Sequence, residues 1–314
     1  MPELSVIIVS YRTPDLLAPC LAAIEGAGAP ADVEVIVVDN ASADGTVERL
    51  GPRFPRARWI VNPDNRGFAP AVNQGVEASG GRLVLLLNPD AALLPGALGP
   101  LVGWFDAHPR AGAVGPKLLL PDGRRYLSVT PFPDAASVLL HETRLGRLGF
   151  ARRRLRPYAD RLDGDQPFRV ECAEGSCLLV RRAAWDDVGG LDERYFFGLE
   201  EADLAWRLRA RGWQVWFHPQ PAAIHRHAGS TGGVRRGRLV TLAVTLALLH
   251  FLRERRPAAA RALRLPLLAV FAAKWAAARA TRQRDQAHAF GEAVRALLGR
   301  RPPWITAEDR RFAA

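Results

Sequence analysis

Three short apolar runs punctuate the first third of the chain: Leu4–Val9 (LSVIIV), Val33–Val38 (VEVIVV) and Leu83–Leu87 (LVLLL). They are nearly continuous and rich in β-branched residues, the pattern of a strand buried on both faces. Between the first two, Leu16, Leu17, Cys20, Leu21 and Ile24 recur at helical spacing, and Ala69–Ala78 reads as a second helix after Gly67. Strands separated by helices imply βαβ units, hence an α/β fold with a mostly parallel central sheet flanked by helices. In such sheets ligands gather at the carboxyl ends of the strands. The runs end in Ser10-Tyr11, Asp39-Asn40 and Asn88-Pro89-Asp90, so three strands bring polar groups to one edge. Asp and Asn are also turn and cap residues, so any single one of these would say little.

No GxGxxG follows the first run and no GxxxxGK[ST] occurs, which argues against a dinucleotide fold or a P-loop. The stretch Pro121–Phe168, rich in Arg, Pro and Gly, reads as a long loop or small insertion over the site. The formal charge of +11 is unevenly placed: residues 235–314 hold 17 Lys/Arg against 5 Asp/Glu, and residues 1–234 hold 26 against 27. A catalytic domain over 1–234 and a basic helical extension over 235–314 are the division this suggests. The tail has few interleaved aromatics, which argues against nucleic acid as a partner. Cys20, Cys172 and Cys177 lack a zinc spacing and read as small core residues of a reducing compartment. No basic, signal-like stretch precedes the first run, so the expected location is cytoplasmic.

Some residues suit specific chemistry. Asp90 offers a hard carboxylate oxygen at a strand end, suited to Mg²⁺ or Mn²⁺, and His225 could add a second ligand, with His227 as its competitor. In Gly189–Trp213 (GGLDERYFFGLEEADLAWRLRARGW), Leu204, Ala205 and Leu208 form one apolar helical stripe. Glu201 projects into the middle of that stripe, where desolvation would raise its pKa toward that of a useful base. Glu200 and Asp203 project to one side, with Asp203 placed to pair with Arg207 one turn on. Acids also favour a helix N-terminus for the dipole alone.

Taken in order, SVIIVSYRT, VVDNASADGT, NRGFAPAVNQG, LLLNPDA, GSCLLVRR and the Gly189–Trp213 segment resemble family 2 glycosyltransferases. Within that family the chain is most similar to the bacterial rhamnosyltransferase-like branch that builds cell-surface polysaccharides. The resemblance covers roughly residues 3–232 and implies an inverting enzyme with the Rossmann-like, nucleotide-binding GT-A fold. It implies that Tyr11 and Asp39 contact the nucleoside with Ser10 and Asn40 nearby, and that Asn65, Arg66 and Asn73 lie in the segment closing on the nucleotide. Asn88-Pro89-Asp90 stands where many relatives carry an Asp-x-Asp metal motif; Asn88 departs from the two-acid form, and Asp90 matches the metal-binding end. Glu200-Glu201 stands where relatives have Glu-Asp, with Glu201 at the catalytic base. Gly175 and Ser176 would border the acceptor, and His225, with Ser230 five residues on, would complete metal or diphosphate binding.

Two apolar runs in the tail, Leu239–Leu252 and Leu265–Ala278, are shorter than the roughly 20 residues that cross a bilayer. They fit either amphipathic helices lying on an anionic membrane face or a helical hairpin packed on the core. The leading expectation is transfer of a deoxyhexose such as rhamnose from a dTDP-sugar to a lipid-linked or polysaccharide acceptor, at the inner face of the plasma membrane. A UDP-hexose or UDP-N-acetylhexosamine transferase of the same fold is the alternative enzyme. A non-catalytic scaffold of a glycan-assembly complex is the alternative of another class; the complete set Asp39, Asp90, Glu201 and His225 argues against it.

Overall fold

The computed structural model describes residues 2–29, 32–143, 145, 154, 157–226 and 234–306. The chain opens with β1 (Leu4–Ser10), α1 (Pro14–Gly26), β2 (Val33–Asp39), α2 (Thr46–Leu50), β3 (Ala57–Val61), α3 (Phe68–Glu77) and β4 (Leu83–Leu87). Then come β5 (Ala91–Leu93), α4 (Leu98–Ala107), β6 (Ala111–Leu119), β7 (Arg125–Tyr126), β8 (Val129–Thr130) and α5 (Ala135–Glu142). These are followed by β9 (Phe168–Arg169), β10 (Cys172–Ala173), β11 (Cys177–Arg181), α6 (Arg182–Val188), α7 (Glu200–Ala210) and β12 (Gln214–His225). Three helices close the described chain: α8 (Val234–Arg255), α9 (Pro257–Ala280) and α10 (Arg284–Leu297).

The main sheet runs β3-β2-β1-β4-β11-β6-β12-β5. β3, β2, β1 and β4 are parallel, and β6 and β12 point the same way; only β11 and β5 on this path are reversed. The mostly parallel α/β expectation holds, for the reason visible in the sequence: β1 and β4 are buried along their whole length. α1 buries Leu17, Cys20, Leu21 and Ile24 of the predicted stripe and leaves Leu16 half-buried. α3 lies so close to β1 that a Cβ on Gly75 would stand 2.6 Å from Ile7 Cγ2. All three cysteines are free and buried, and burial pushes the Cys177 thiol up to about 12.

The stretch expected as a loop over 121–168 holds β7, β8 and α5. Asp134 caps α5: its carboxylate accepts from Ser137 N at 2.7 Å while Ser137 Oγ accepts from Asp134 N at 2.9 Å. This reciprocal cap starts a helix without a long apolar stripe to announce it.

Two compact units divide the chain: residues 1–130, 158–191 and 204–230 form the first, and residues 131–157, 192–203 and 231–314 the second. The first has a core of β1, α1, β4 and α4 side chains including Leu4, Ile8, Leu17, Leu85, Leu101 and Phe105. The second has two apolar clusters. One packs Leu249, Leu252, Leu263, Leu267 and Phe271 with Val138 of α5, and the other packs Phe196 with Leu242, Leu246 and Ile305. No described helix is long and apolar enough to cross a membrane.

Candidate functional site

The sheet directions place several chain segments at one edge of the first unit. β1 and β2 end there in register, Ser10 opposite Asp39. Ser10 is buried, its hydroxyl 3.2 Å from that of Thr13. The buried Asp39 carboxylate accepts from Ser42 N at 3.0 Å and from the Ser42 hydroxyl, and Ser42 Oγ accepts from Arg12 N at 2.8 Å. Tyr11 is half-buried, with the Arg12 guanidinium 5.2 Å from its ring centre. Arg12, Ala41 and Ala43 hold left-handed backbone at φ 54°, 65° and 49°. Such conformations cost non-glycine residues about 1–3 kcal/mol each and persist where packing over-determines them.

Asn40, expected beside the nucleoside, spends its amide inside the protein. Its Nδ2 donates to Asn65 Oδ1 at 2.9 Å and to Gly67 O at 3.0 Å, while its Oδ1 accepts from Asn62 Nδ2 at 3.1 Å and Arg66 N at 3.2 Å. Two donors and two lone pairs are the full capacity of an amide. Asn40 therefore shapes the loop that carries Asn65 and the half-buried Arg66. Asn73 exchanges two 2.9 Å hydrogen bonds with the backbone of Leu191, which makes it a tie within the first unit.

Asp90 follows β4 and precedes the reversed strand β5, whose Ala91 pairs with His225 at the end of β12. His225 Nε2 consequently stands 3.3 Å from Asp90 Oδ1, with both side chains buried, and Arg226 N donates to Asp90 O at 3.0 Å. β11 starts at this edge, so Ser176 O accepts from Asn88 N at 2.9 Å, and Gly175 and Ser176 are buried beside it. Two further residues join the cluster without any sequence signal at a distance. Tyr126 sets its ring edge-on to His225 at 5.3 Å and donates to Glu174 Oε1 at 2.7 Å, and Ser176 Oγ meets the other Glu174 oxygen at 3.4 Å. Only Glu174 could have been suspected, as the neighbour of Gly175-Ser176. Among the described residues no group of three or more His, Cys, Asp or Glu gathers that could hold a metal. His227 and Ser230 lie outside the described residues.

The segment carrying Glu200 and Glu201 belongs to the second unit. Here the buried side of the helix differs from the expected stripe. Glu200 and Asp203 are buried and Glu201 is half-buried, because Glu200, Asp203 and Leu204 share the face that packs inward at the start of α7. Burial pushes the Glu200 carboxyl up to about 7, against the backbone N–H groups of Gly198 and Glu200 itself, which pull it down. Asp203 accepts from Arg255 Nε at 2.5 Å, and the expected partner Arg207 donates to the carbonyl of Val188 at 2.7 Å.

The profile described as Glycosyl transferase family 2 matches residues 5–189, more than half of the 314. The chain belongs to glycosyl transferase family 2. This family 2 glycosyltransferase is 34% identical over 250 residues to the N-acetylglucosaminyl-diphospho-decaprenol L-rhamnosyltransferase of Mycobacterium tuberculosis, covering 73% of this chain and 78% of that protein. Among solved structures it is similar to the mannosyltransferase PcManGT from Pyrobaculum calidifontis in complex with GDP-Man and Mn²⁺, with TM-score 0.55, 19% identity and coverage of 96% and 88%. GalNAc-T7 with UDP, GalNAc and Mn²⁺ aligns with TM-score 0.58 and 16% identity over 81% of this chain and 48% of that one. These likenesses establish the GT-A fold. As a member of family 2 with that fold, the chain is a nucleotide-sugar-dependent glycosyltransferase.

Proposed function

We propose that this enzyme is an inverting, metal-dependent transferase that moves a deoxyhexose, rhamnose, from a dTDP-sugar to a hydroxyl of a lipid-linked glycan. The observation that carries the chemistry is the buried Asp90–His225 pair at 3.3 Å on the carboxyl edge of the sheet. The choice of rhamnose and of a lipid-linked acceptor rests on the likeness to the mycobacterial rhamnosyltransferase.

A carboxylate oxygen and an imidazole nitrogen held this close suit Mn²⁺ better than Mg²⁺, which prefers oxygen alone. Two protein donors are too few to cage an ion, so the diphosphate of the donor would complete its coordination. The metal, when bound, would neutralise charge on the departing diphosphate. Asp39 and Tyr11 hold the nucleoside at the ends of β2 and β1. Glu201 takes the proton from the acceptor hydroxyl, whose oxygen forms the new bond to the anomeric carbon as the nucleoside diphosphate leaves with the old bonding pair. One such displacement inverts the anomeric centre and needs no covalent sugar intermediate. The raised carboxyl of Glu200 favours a second reading, in which Glu200 and not Glu201 is the base.

The test is a thermal-shift and nucleotide-release panel with dTDP-rhamnose, UDP-glucose and UDP-N-acetylglucosamine, each with Mn²⁺, with Mg²⁺ and with EDTA. Protection by dTDP-rhamnose with Mn²⁺, lost in Asp90→Ala and His225→Ala, is the expected result. Protection by a UDP-sugar instead would overturn the donor assignment, and indifference to EDTA would overturn the metal. Glu201→Gln and Glu200→Gln, assayed side by side for transfer, tell the two base readings apart.

A further inference from the structure

Residues 192–203 pack within the C-terminal helical unit, and the polar contacts that anchor both ends fall on α8. At the upstream end Asp192 Oδ2 stands 3.5 Å from Nε2 of the fully buried His250, and Arg194 bridges Asp192 at 2.6 Å and Glu254 at 3.7 Å. The Tyr195 ring lies 4.9 Å from that of His250. Phe196 packs with Leu242, Ala243 and Leu246. Gly198 presses on α8 so closely that a Cβ there would be 3.0 Å from Val244 Cγ2. At the downstream end the buried Asp203 is bonded to Arg255. Ala243, Leu246, His250 and Glu254 recur at three and four residues on one face of α8, and Val244 and Arg255 project from the face beside it.

Between the two anchors the backbone is held in an unfavourable shape. Gly198 has φ 89° and Leu199, which carries a branched side chain, has φ 62°. Non-glycine residues keep such angles only where their surroundings impose them. The next residues are Glu200 and Glu201.

We propose that α8 is the positioning device for the turn that carries Glu200 and Glu201, with His250 and Arg255 as its positioning residues. The inference rests on the reading above in which this acidic pair supplies the base. Neither residue touches a reacting atom. His250 fixes the segment before the left-handed pair Gly198-Leu199 and Arg255 fixes it after, so that the carboxylates that follow Leu199 have one location. Removing an anchor lets the turn relax, and a displacement of about 1 Å at a catalytic group costs roughly 10²-fold in rate.

The experiment uses the full chain with Arg255→Met, Arg255→Lys, His250→Asn and Glu201→Gln, followed by transfer kinetics with dTDP-rhamnose and by hydrogen–deuterium exchange. Arg255→Met is expected to lower kcat roughly 10²-fold with donor KM little changed, and Arg255→Lys to restore part of the loss. Exchange should rise in peptides covering 192–203 in both Arg255→Met and His250→Asn. Unchanged exchange in that segment for both variants overturns the proposal without any reference to activity. So does full kcat in a folded Arg255→Met beside an inactive Glu201→Gln. Full activity in both Glu201→Gln and Glu200→Gln would instead remove the base reading, and with it the function assigned to the anchors.

Discussion

Glu200 ties the stability of this enzyme to pH. Its carboxyl is pushed up to about 7 by burial, whereas an unfolded chain would leave it at its ordinary value, near 4.5. Between those values the native state holds a proton that the unfolded state has lost. Stability therefore falls as pH rises through this window and stays low above it. The difference corresponds to at most about 3 kcal/mol. Glu200→Gln is expected to melt at nearly the wild-type temperature at pH 5 and clearly above it at pH 8; parallel melts at both values check this, and identical slopes would refute it. Asp192 acts in another range. Burial raises its pKa, but the neighbouring His250 and Arg194 side chains outweigh burial and hold it well below the usual carboxylate range. Its contribution is present above about pH 4 and is lost only on further acidification, so it does not obscure the Glu200 effect.

At the scale of elements, glycines in two helices make opposite demands. In α3, Gly75 faces the stiff β-branched side chains of Ile7 and Val38, with a new Cβ falling 2.6 and 3.2 Å from their Cγ2 atoms. Neither methyl can swing aside within a filled core, and overpacking costs about 1–3 kcal/mol. The helix preference for Ala over Gly returns only about 1 kcal/mol. Gly103 in α4 is exposed and a Cβ there meets nothing within 4 Å. Gly75→Ala should therefore destabilise the protein, by up to about 2 kcal/mol net of those two effects. Gly103→Ala should stabilise it by about 0.5–1 kcal/mol. Urea titrations of both variants read the two signs directly. The buried face of α7 also changes along its length. The stripe Leu204, Ala205 and Leu208 is real, but it describes only the later turns. At the first turn the buried side is set by the contact of Asp203 with Arg255, which lies 52 residues away in sequence.

Considered as a whole molecule, the chain carries its excess of positive charge in residues 235–314, where 17 Lys/Arg stand against 5 Asp/Glu. α8 spends its apolar run internally: Leu242, Leu246, Leu249, Phe251 and Leu252 are all buried. On α9, Leu265 is 74% exposed and Trp275 39% exposed, with the Arg279 guanidinium 5.2 Å from the Trp275 ring. Arg279, Arg282, Arg284 and Arg300 line a groove beside Trp275. A tryptophan among arginines suits the headgroup region of an anionic leaflet, each basic residue near the surface contributing about 1 kcal/mol. The enzyme is expected to co-sediment with vesicles containing phosphatidylglycerol and not with phosphatidylcholine alone. Binding should weaken with added salt and in an Arg279→Glu/Arg282→Glu double variant; equal binding to both vesicle types would show that this surface is not a membrane face.

Local pattern was enough to establish the α/β class and the sheet edge that carries the candidate site. A strand buried on both faces must be a continuous apolar run, and the polar residues after β1, β2 and β4 must then lie at a common sheet edge; Ser10, Asp39, Asn88 and Asp90 follow from that alone. Pairing between distant strands is not a local property. That His225 meets Asp90 depends on β12 running beside β5 in one register, and that Ser176 meets Asn88 depends on β11 running against β4. A slip of one residue would have turned either side chain to the opposite face. The charge step near residue 235 marked the tail as different, but the packing of α8 against residues 192–203 came only with the tertiary structure. It depends on which face of one helix meets which side of a distant turn, and no spacing within either segment records that choice.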